Sequence, residues 1–319
     1  MSYLARRLVL GLLTLWLVTL ASFVLLRMAP GDAVSAALAT SPGEGGLSQA
    51  QIDRQRQELG LDRTWFEQYG SWLGDMVRFD GGTSLATSRP VFDHLGQRAL
   101  VTLELALFTV LFAALFGITA GMAGARKAGT ALDTGVRILA FVTLSVPTFW
   151  IALVMVIAVA SWTGHFLAMG FVPYSVTPAA NLSSILPAAL VLALRPAAIL
   201  ARMTRASTLE AMQSQSFLFA RSKGIALGDA VRKHAFRTAL LPVVTVIGAE
   251  TVFLLGGAVV VEQVFGLPGL GRSLVSAVLA RDYPVVQALV VIFAISAVAL
   301  NLLVDAAYVL LDPRLRERS

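Results

Sequence analysis

The feature that most constrains this chain is a series of apolar runs long enough to cross a bilayer. Residues 8–26 follow Arg6 and Arg7 and carry no charge until Arg27. At 1.5 Å of rise per residue, about 20 helical residues cover roughly 30 Å of hydrocarbon. Further runs at 101–125, 138–162, 186–200 and 243–261, and one that ends near Leu311, repeat the pattern. Backbone polar groups inside hydrocarbon must be satisfied within the segment, so runs of this kind form helices. The expectation is an all-α polytopic membrane protein with six transmembrane helices. Composition agrees, since 57% of the 319 residues are hydrophobic and only 14% are charged, against about a quarter charged in a soluble domain.

The first run has an alternative reading as a cleaved signal peptide, with Ala36-Ala37-Leu38-Ala39 as the cleavage site. A retained helix is preferred, because the run is too long for a signal and Arg27 followed by Pro30-Gly31-Asp32 closes it as a helix end. The net charge of +6 could suggest nucleic acid. The basic residues, however, fall in short loops that face one side, where they set topology, so no nucleic-acid partner is expected. Without cysteine there is neither a disulfide framework nor a thiolate metal site.

Residues 29–98 differ from the rest in being polar, with acids outnumbering bases, and are expected to form an external insert between helices 1 and 2. Ser41-Pro42-Gly43-Glu44-Gly45-Gly46 reads as a flexible start and residues 48–58 as a helix. The insert is too small to be an enzyme by itself. Trp65, Tyr69 and Trp72 read as an interfacial aromatic belt rather than a ligand-stacking set. Arg126 and Lys127 place the end of the second run inside, and residues 163–185 hold no Lys, Arg, Asp or Glu, as suits the outside. Pro147 in the third run predicts a kink that frees the Thr143 carbonyl. Six crossings put both termini in the cytoplasm, in agreement with Arg314, Arg316 and Arg318.

The stretch 215–242 carries Arg221, Lys223, Arg232, Lys233 and Arg237 against one acid, Asp229, which makes it a cytoplasmic loop. It reads as a short helix up to Lys223, a turn at Gly224 and Gly228, and a second helix capped by Asp229 and stopped by Pro242, which opens the next apolar run. A basic loop bordered by Gly and Pro is also what any polytopic protein places between two helices. Buried charges mark function in a membrane, because an ionisable group in a span is costly unless it is paired or meets water. Arg195 and Glu250 lie mid-span, whereas Glu104 and Asp305 lie nearer helix ends. Two readings of Arg195 and Glu250 stay open: pore-facing contacts for substrate termini, or a helix-to-helix ion pair.

The chain has no GxxxxGK[ST] phosphate loop, and the glycines between Gly266 and Arg272 are neither preceded by a strand nor followed by Lys-Ser or Lys-Thr. His94, His165 and His234 sit in three separate loops without zinc-ligand spacing. No ATP hydrolysis, catalytic site or metal site is therefore expected in this chain. A translocation pathway must borrow its energy from a partner.

Ala220-Arg221-Ser222-Lys223-Gly224, followed by His234-Ala235-Phe236-Arg237-Thr238-Ala239-Leu240-Leu241-Pro242, resembles the EAA loop of the dipeptide/oligopeptide/nickel family of bacterial ABC importer permeases. In that family the two strings run close to A-R-A-K-G and H-A-L-R-N-A-L-L-P. The acid that gives the loop its name is replaced here by Leu218. Ser145-Val146-Pro147-Thr148-Phe149-Trp150, the Ala201-Arg202-Met203-Thr204-Arg205-Ala206-Ser207 phrase and Arg281-Asp282-Tyr283-Pro284 are similar to further family segments, so the resemblance covers nearly the whole chain. It implies a type I ABC importer permease fold in the bacterial inner membrane. Its parts would be an N-terminal helix (1–28), the external insert (29–98), a five-helix core (99–311) with the coupling loop 202–241, and a cytoplasmic tail (312–319).

The implied partners are a second homologous permease, two ATPase subunits that bind ATP and Mg, an external substrate-binding protein and membrane lipid. Ala220, Arg221, Lys223, Gly224, His234 and Arg237 would couple to the ATPase. Arg195, Glu250, Phe149 and Trp150 are the candidate translocation path. Di- and oligopeptides are the implied cargo. Nickel or a metal chelate is the alternative, because the phrase Ser84-Leu85-Ala86-Thr87-Ser88-Arg89-Pro90 also resembles nickel permeases. A secondary transporter or channel working alone is a third reading.

Overall fold

A computed structural model describes residues 3–28, 63–164 and 171–311. The expected glycine-rich start at 41–46, the helix at 48–58, the Ala36–Ala39 site, His165 and the basic tail lie outside the described residues, as does the side chain of Arg237. The described chain is helical, and its one β feature is an isolated bridge between Thr83 and Pro90. It divides into two units, residues 1–100 with 272–298, and residues 101–271 with 299–319.

In the first unit, α1 (Tyr3–Met28) meets α2 (Trp65–Val77). Thr64 and Glu67 close a capping box at the start of α2: the Glu67 N–H donates to the Thr64 hydroxyl oxygen, and the Thr64 N–H donates to the Glu67 carboxylate. Tyr69 and Trp72, expected in an interfacial belt with Trp65, are half-buried. They turn onto buried Phe23 of α1, with ring centroids 5.4 and 6.2 Å away, and the Tyr69 hydroxyl lies 3.0 Å from that of Thr19. Only Trp65 stays exposed. The loop 82–90 folds back on itself around the buried carboxylate of Asp282, which accepts from the Ser84 hydroxyl and from the Leu85 and Ala86 N–H groups.

The second unit is built on α6 (Pro178–Ala211), which packs against α3 (Val91–Arg126), α4 (Ala131–Ser145), α5 (Thr148–Thr163) and α9 (Phe236–Phe265). Leu105, Ile185, Ala188, Leu192, Val261 and Phe265 form its apolar centre. The backbones of α3 and α6 touch: a Cβ at Gly117 would stand 2.6 Å from Leu200 Cβ, and one at Gly121 would stand 2.5 Å from the Ala201 carbonyl oxygen. Glycines four apart allow this approach, which is how helices gain packing energy where solvent is not excluded between them.

Five of the described helices are long and apolar enough to span a membrane. A sixth crossing results if α4 and α5 count as one, and the two meet at a bend of 98°. The third run is therefore a broken pair and not the single kinked helix expected. Val146 is extended, the conformation favoured before proline, and Pro147 serves as the N-cap of α5. Two further boundaries differ. Helix α6 runs ten residues and more past the expected 186–200 on the C-terminal side, so the Ala201–Ser207 phrase is helix rather than loop. Helix α9 passes through Pro242 without stopping, because a spanning helix tolerates proline where neighbours re-satisfy the freed carbonyl.

Candidate functional site

The basic stretch folds as its own small element. Ser214 caps α7 (Gln215–Ser222) by accepting from the Phe217 N–H, and Lys223 ends the helix. Gly224 then takes φ +82°, a left-handed conformation that glycine adopts without strain. A short helix α8 (Leu227–Ala230) and a π-turn (Val231–Ala235) lead directly into α9. The N-cap is Ala226, so Asp229 is a helix residue rather than the cap expected; it pairs with Arg232 at 3.7 Å on the surface. The π-turn, which widens a helix by one residue and recurs at functional positions, holds His234.

Ala211, Phe217, Ala230, Val231 and Ala235 form a buried cluster that fastens the two halves of this element together, and Ala220 is buried beside Phe217 on α7. Arg221 reaches across the turn to donate to the Ile225 carbonyl. Lys223 Nζ stands 4.5 Å over the Phe219 ring. Leu218 and Phe219 face outward, an apolar face beside two cations on an element otherwise closed on itself. His234 is exposed, and its carbonyl accepts from the Thr238 hydroxyl. Of the coupling candidates, Ala220, Arg221, Lys223 and Gly224 thus share one turn, and His234 lies beyond it on the second arm.

Arg195 and Glu250 come together. Arg195 Nη1 donates to Glu250 Oε2 at 3.1 Å, with the arginine side chain 51% exposed and the glutamate 12%. Both lie near the middle of apolar helices, α6 and α9. They line a cavity of about 50 Å³ with Thr148, Phe253 and Leu254. Phe149 and Trp150 are exposed on the first turn of α5 next to Thr148, but neither lines that cavity. A wider cavity, about 470 Å³, lies in the first unit, where Arg27, Trp72, Asp75, Asp80 and Tyr283 border it. Among the described residues no group of three or more His, Asp or Glu side chains converges on a possible metal position.

Two networks were not legible as sites in the sequence. Asp133, 1% exposed at the start of α4, receives both Nε and Nη2 of Arg205, at 2.5 and 2.8 Å, and the Gly129 N–H at 3.0 Å. Glu262, fully buried at the end of α9, accepts from the Thr102 hydroxyl at 2.7 Å, and Thr102 in turn accepts from the Leu270 N–H. A Cβ at Gly269 would overlap the Glu262 carboxylate, so the turn after α9 is shaped around that side chain. Glu262 stands in a conspicuous Glu-Gln-Val-Phe-Gly-Leu-Pro-Gly string, a signal that could have marked it. Asp133 carries no such mark.

Among the described residues, repeated helices of bilayer length, a pair of charges in mid-span and a compact basic element between two of those helices describe a multi-pass membrane protein. Residues 113–317 match the model of the binding-protein-dependent transport system inner membrane component family, and the chain belongs to that family. It is 40% identical over 300 residues, 94% of each chain, to a putative peptide transport system permease protein of Brucella abortus. It is 35% identical to the glutathione transport system permease protein GsiC of Shigella boydii, over 99% of each chain. It is 33% identical to the oligopeptide transport system permease protein AppB of Bacillus subtilis, over 98% of this chain and 99% of the relative.

Proposed function

We propose that this chain is one of two permease subunits of an ATP-driven importer for di- and oligopeptides. An external binding protein delivers the cargo, and two separate ATPase subunits hold ATP and Mg and supply the energy. The chain itself is a transport subunit, with both termini in the cytoplasm. Three relatives named for peptide, oligopeptide and glutathione transport support the cargo class. The observation that carries the pathway is the half-exposed guanidinium of Arg195 in the middle of α6. At that depth a charge costs several kcal/mol against hydrocarbon, so this face meets water or a partner subunit. A mixed Arg195 and Glu250 lining suits a zwitterion, with one group for a carboxylate terminus and one for an amine.

The element from Ser214 to Ala235 is the surface that meets the ATPase, with Ala220, Arg221, Lys223, Gly224, His234 and Arg237 as its working positions. Gly224→Val tests this assignment, because the added Cβ meets no atom within 4 Å and the strain comes from the positive φ alone. Uptake should fall about tenfold or more while ATP hydrolysis and membrane insertion persist; unchanged uptake would reject the coupling role. Cargo is tested by calorimetry of the cognate binding protein against di- to pentapeptides, glutathione and nickel chelates. Peptide binding without metal supports the proposal, and binding of chelated nickel alone would replace peptide with metal.

A further inference from the structure

The coupling element and the Arg195–Glu250 cavity lie at different levels of α6, and one short path of contacts joins them without running along α6 itself. Helix α3 ends at Arg126, whose Nη2 lies against Gly228: a Cβ there would stand 2.7 Å away. Seven residues later Asp133 opens α4, and its carboxylate grips Arg205 near the end of α6 by a two-pronged contact, with the Gly129 N–H as a third donor. Gly124 of α3 lies beside this grip, where a Cβ would stand in ordinary contact with Asp133 Oδ1 and Arg205 Cδ, at 3.4 and 3.5 Å. Helix α4 then runs to the 98° break, and the first residue past it on α5 is Thr148, which lines the cavity with Arg195 and Glu250.

We propose that Asp133 and Arg205 are a positioning pair that makes α4 a lever, so that displacement of the coupling element moves Thr148 and the first turn of α5 against the ion pair in the pathway. The inference rests on the reading of 214–235 as the ATPase-facing element. Two features give the pair this role rather than that of a packing contact. It is the most rigid kind of side-chain contact, a planar fork on a carboxylate already fixed by a backbone N–H. It also holds the start of α4, the end opposite the 98° break, so that a rigid-body rotation of α4 about the break needs no bend within the helix. A lever needs a stiff grip at one end and a joint at the other: Asp133 supplies the grip, and the 98° break at Val146 and Pro147 is the joint.

The absence of cysteine from the chain allows a clean reporter. Thr148→Cys is placed in the permease of the full complex in proteoliposomes, and its labelling rate by a small water-soluble maleimide is compared with and without ATP and vanadate. With Asp133 intact, the rate should change about fivefold or more between the two states. With Asp133→Asn, that change should collapse to below about twofold while ATP hydrolysis continues, as expected for loss of coupling between two sites. Arg205→Gln, which keeps a donor but loses the fork and the charge, should do the same and serves if Asp133→Asn does not accumulate. An unchanged nucleotide response in these variants overturns the lever, as does a Thr148→Cys rate that never responds to nucleotide. A failure of the peptide reading would appear differently, as nucleotide-dependent labelling in a complex that takes up no peptide.

Discussion

Helix α6 carries two arginine–carboxylate pairs ten positions apart, and they differ in almost every physical respect. Arg205 and Asp133 meet by two hydrogen bonds in a site where the carboxylate is 1% exposed and a backbone N–H adds a third. Arg195 and Glu250 meet by one, and half of the arginine side chain is open. A buried, fully satisfied pair fixes geometry, because removing one partner strands a charge. An exposed single contact is worth little to the fold and can be exchanged for a ligand or water. The difference teaches that a charge in a membrane helix marks a candidate site only after its exposure is known: the same residue types form a closed, doubly bonded pair at one level and a half-open one at the other.

The comparison can be broken by experiments ranked by their effect on the folded state. Arg205→Ala should be the most damaging, at about 3–5 kcal/mol, the cost of leaving a buried carboxylate without its partner; thermal unfolding in detergent would show it, and a normal melting profile would remove the distinction between the pairs. Gly121→Val should cost about 1–3 kcal/mol by forcing α3 away from α6, read in the same assay, and would show whether the backbone contact holds the two helices in register for the Asp133 grip. Arg195→Ala should change stability less than Arg205→Ala does, since half of its side chain is open and it makes a single contact with Glu250.

Glu67→Gln should matter least. The backbone N–H and hydroxyl of Thr64 hold the Glu67 carboxyl below its ordinary range. Because the folded value is the lower one, its contribution is present above the unfolded value and is lost as pH falls through the folded value. The variant should remove that part of the acid sensitivity of α2, measurable as a flatter pH profile of melting, and an identical profile would deny the capping box any role.

Much of this was legible in the chain. Apolar runs pointed to the spans because hydrocarbon admits few alternatives, and the ordered string from Ala220 to Pro242 pointed to the stretch that folds as a small helical element of its own. Arg195 and Glu250 stood out as lone charges in apolar helices, and their separation by 55 positions in sequence did not hide that each needed a partner. Asp133 was hidden for the opposite reason. It sits just past the basic residues at the end of α3, where an acid reads as a solvated loop charge, and its partner is 72 positions away. The helix break at Pro147 and the unbroken helix through Pro242 show that proline alone does not settle the matter. Val146 adopts the extended conformation in one case, while in the other the residues before Pro242 stay helical. Gly117 and Gly121 went unread in the sequence, since two glycines in an apolar run name no partner, and the structure shows that they mark where α3 meets α6.

The most direct measurement is uptake of a labelled dipeptide by proteoliposomes holding the complete transporter, with wild-type and Arg195→Ala permease at matched amounts of assembled complex. If the open pair lies on the pathway, the variant should transport about tenfold more slowly, equivalent to roughly 1.4 kcal/mol of barrier, while its melting profile stays with the wild type. Equal uptake at matched amounts, or a loss that only follows the amount of complex, would contradict the account and make Arg195–Glu250 a helix-to-helix contact with no part in the pathway.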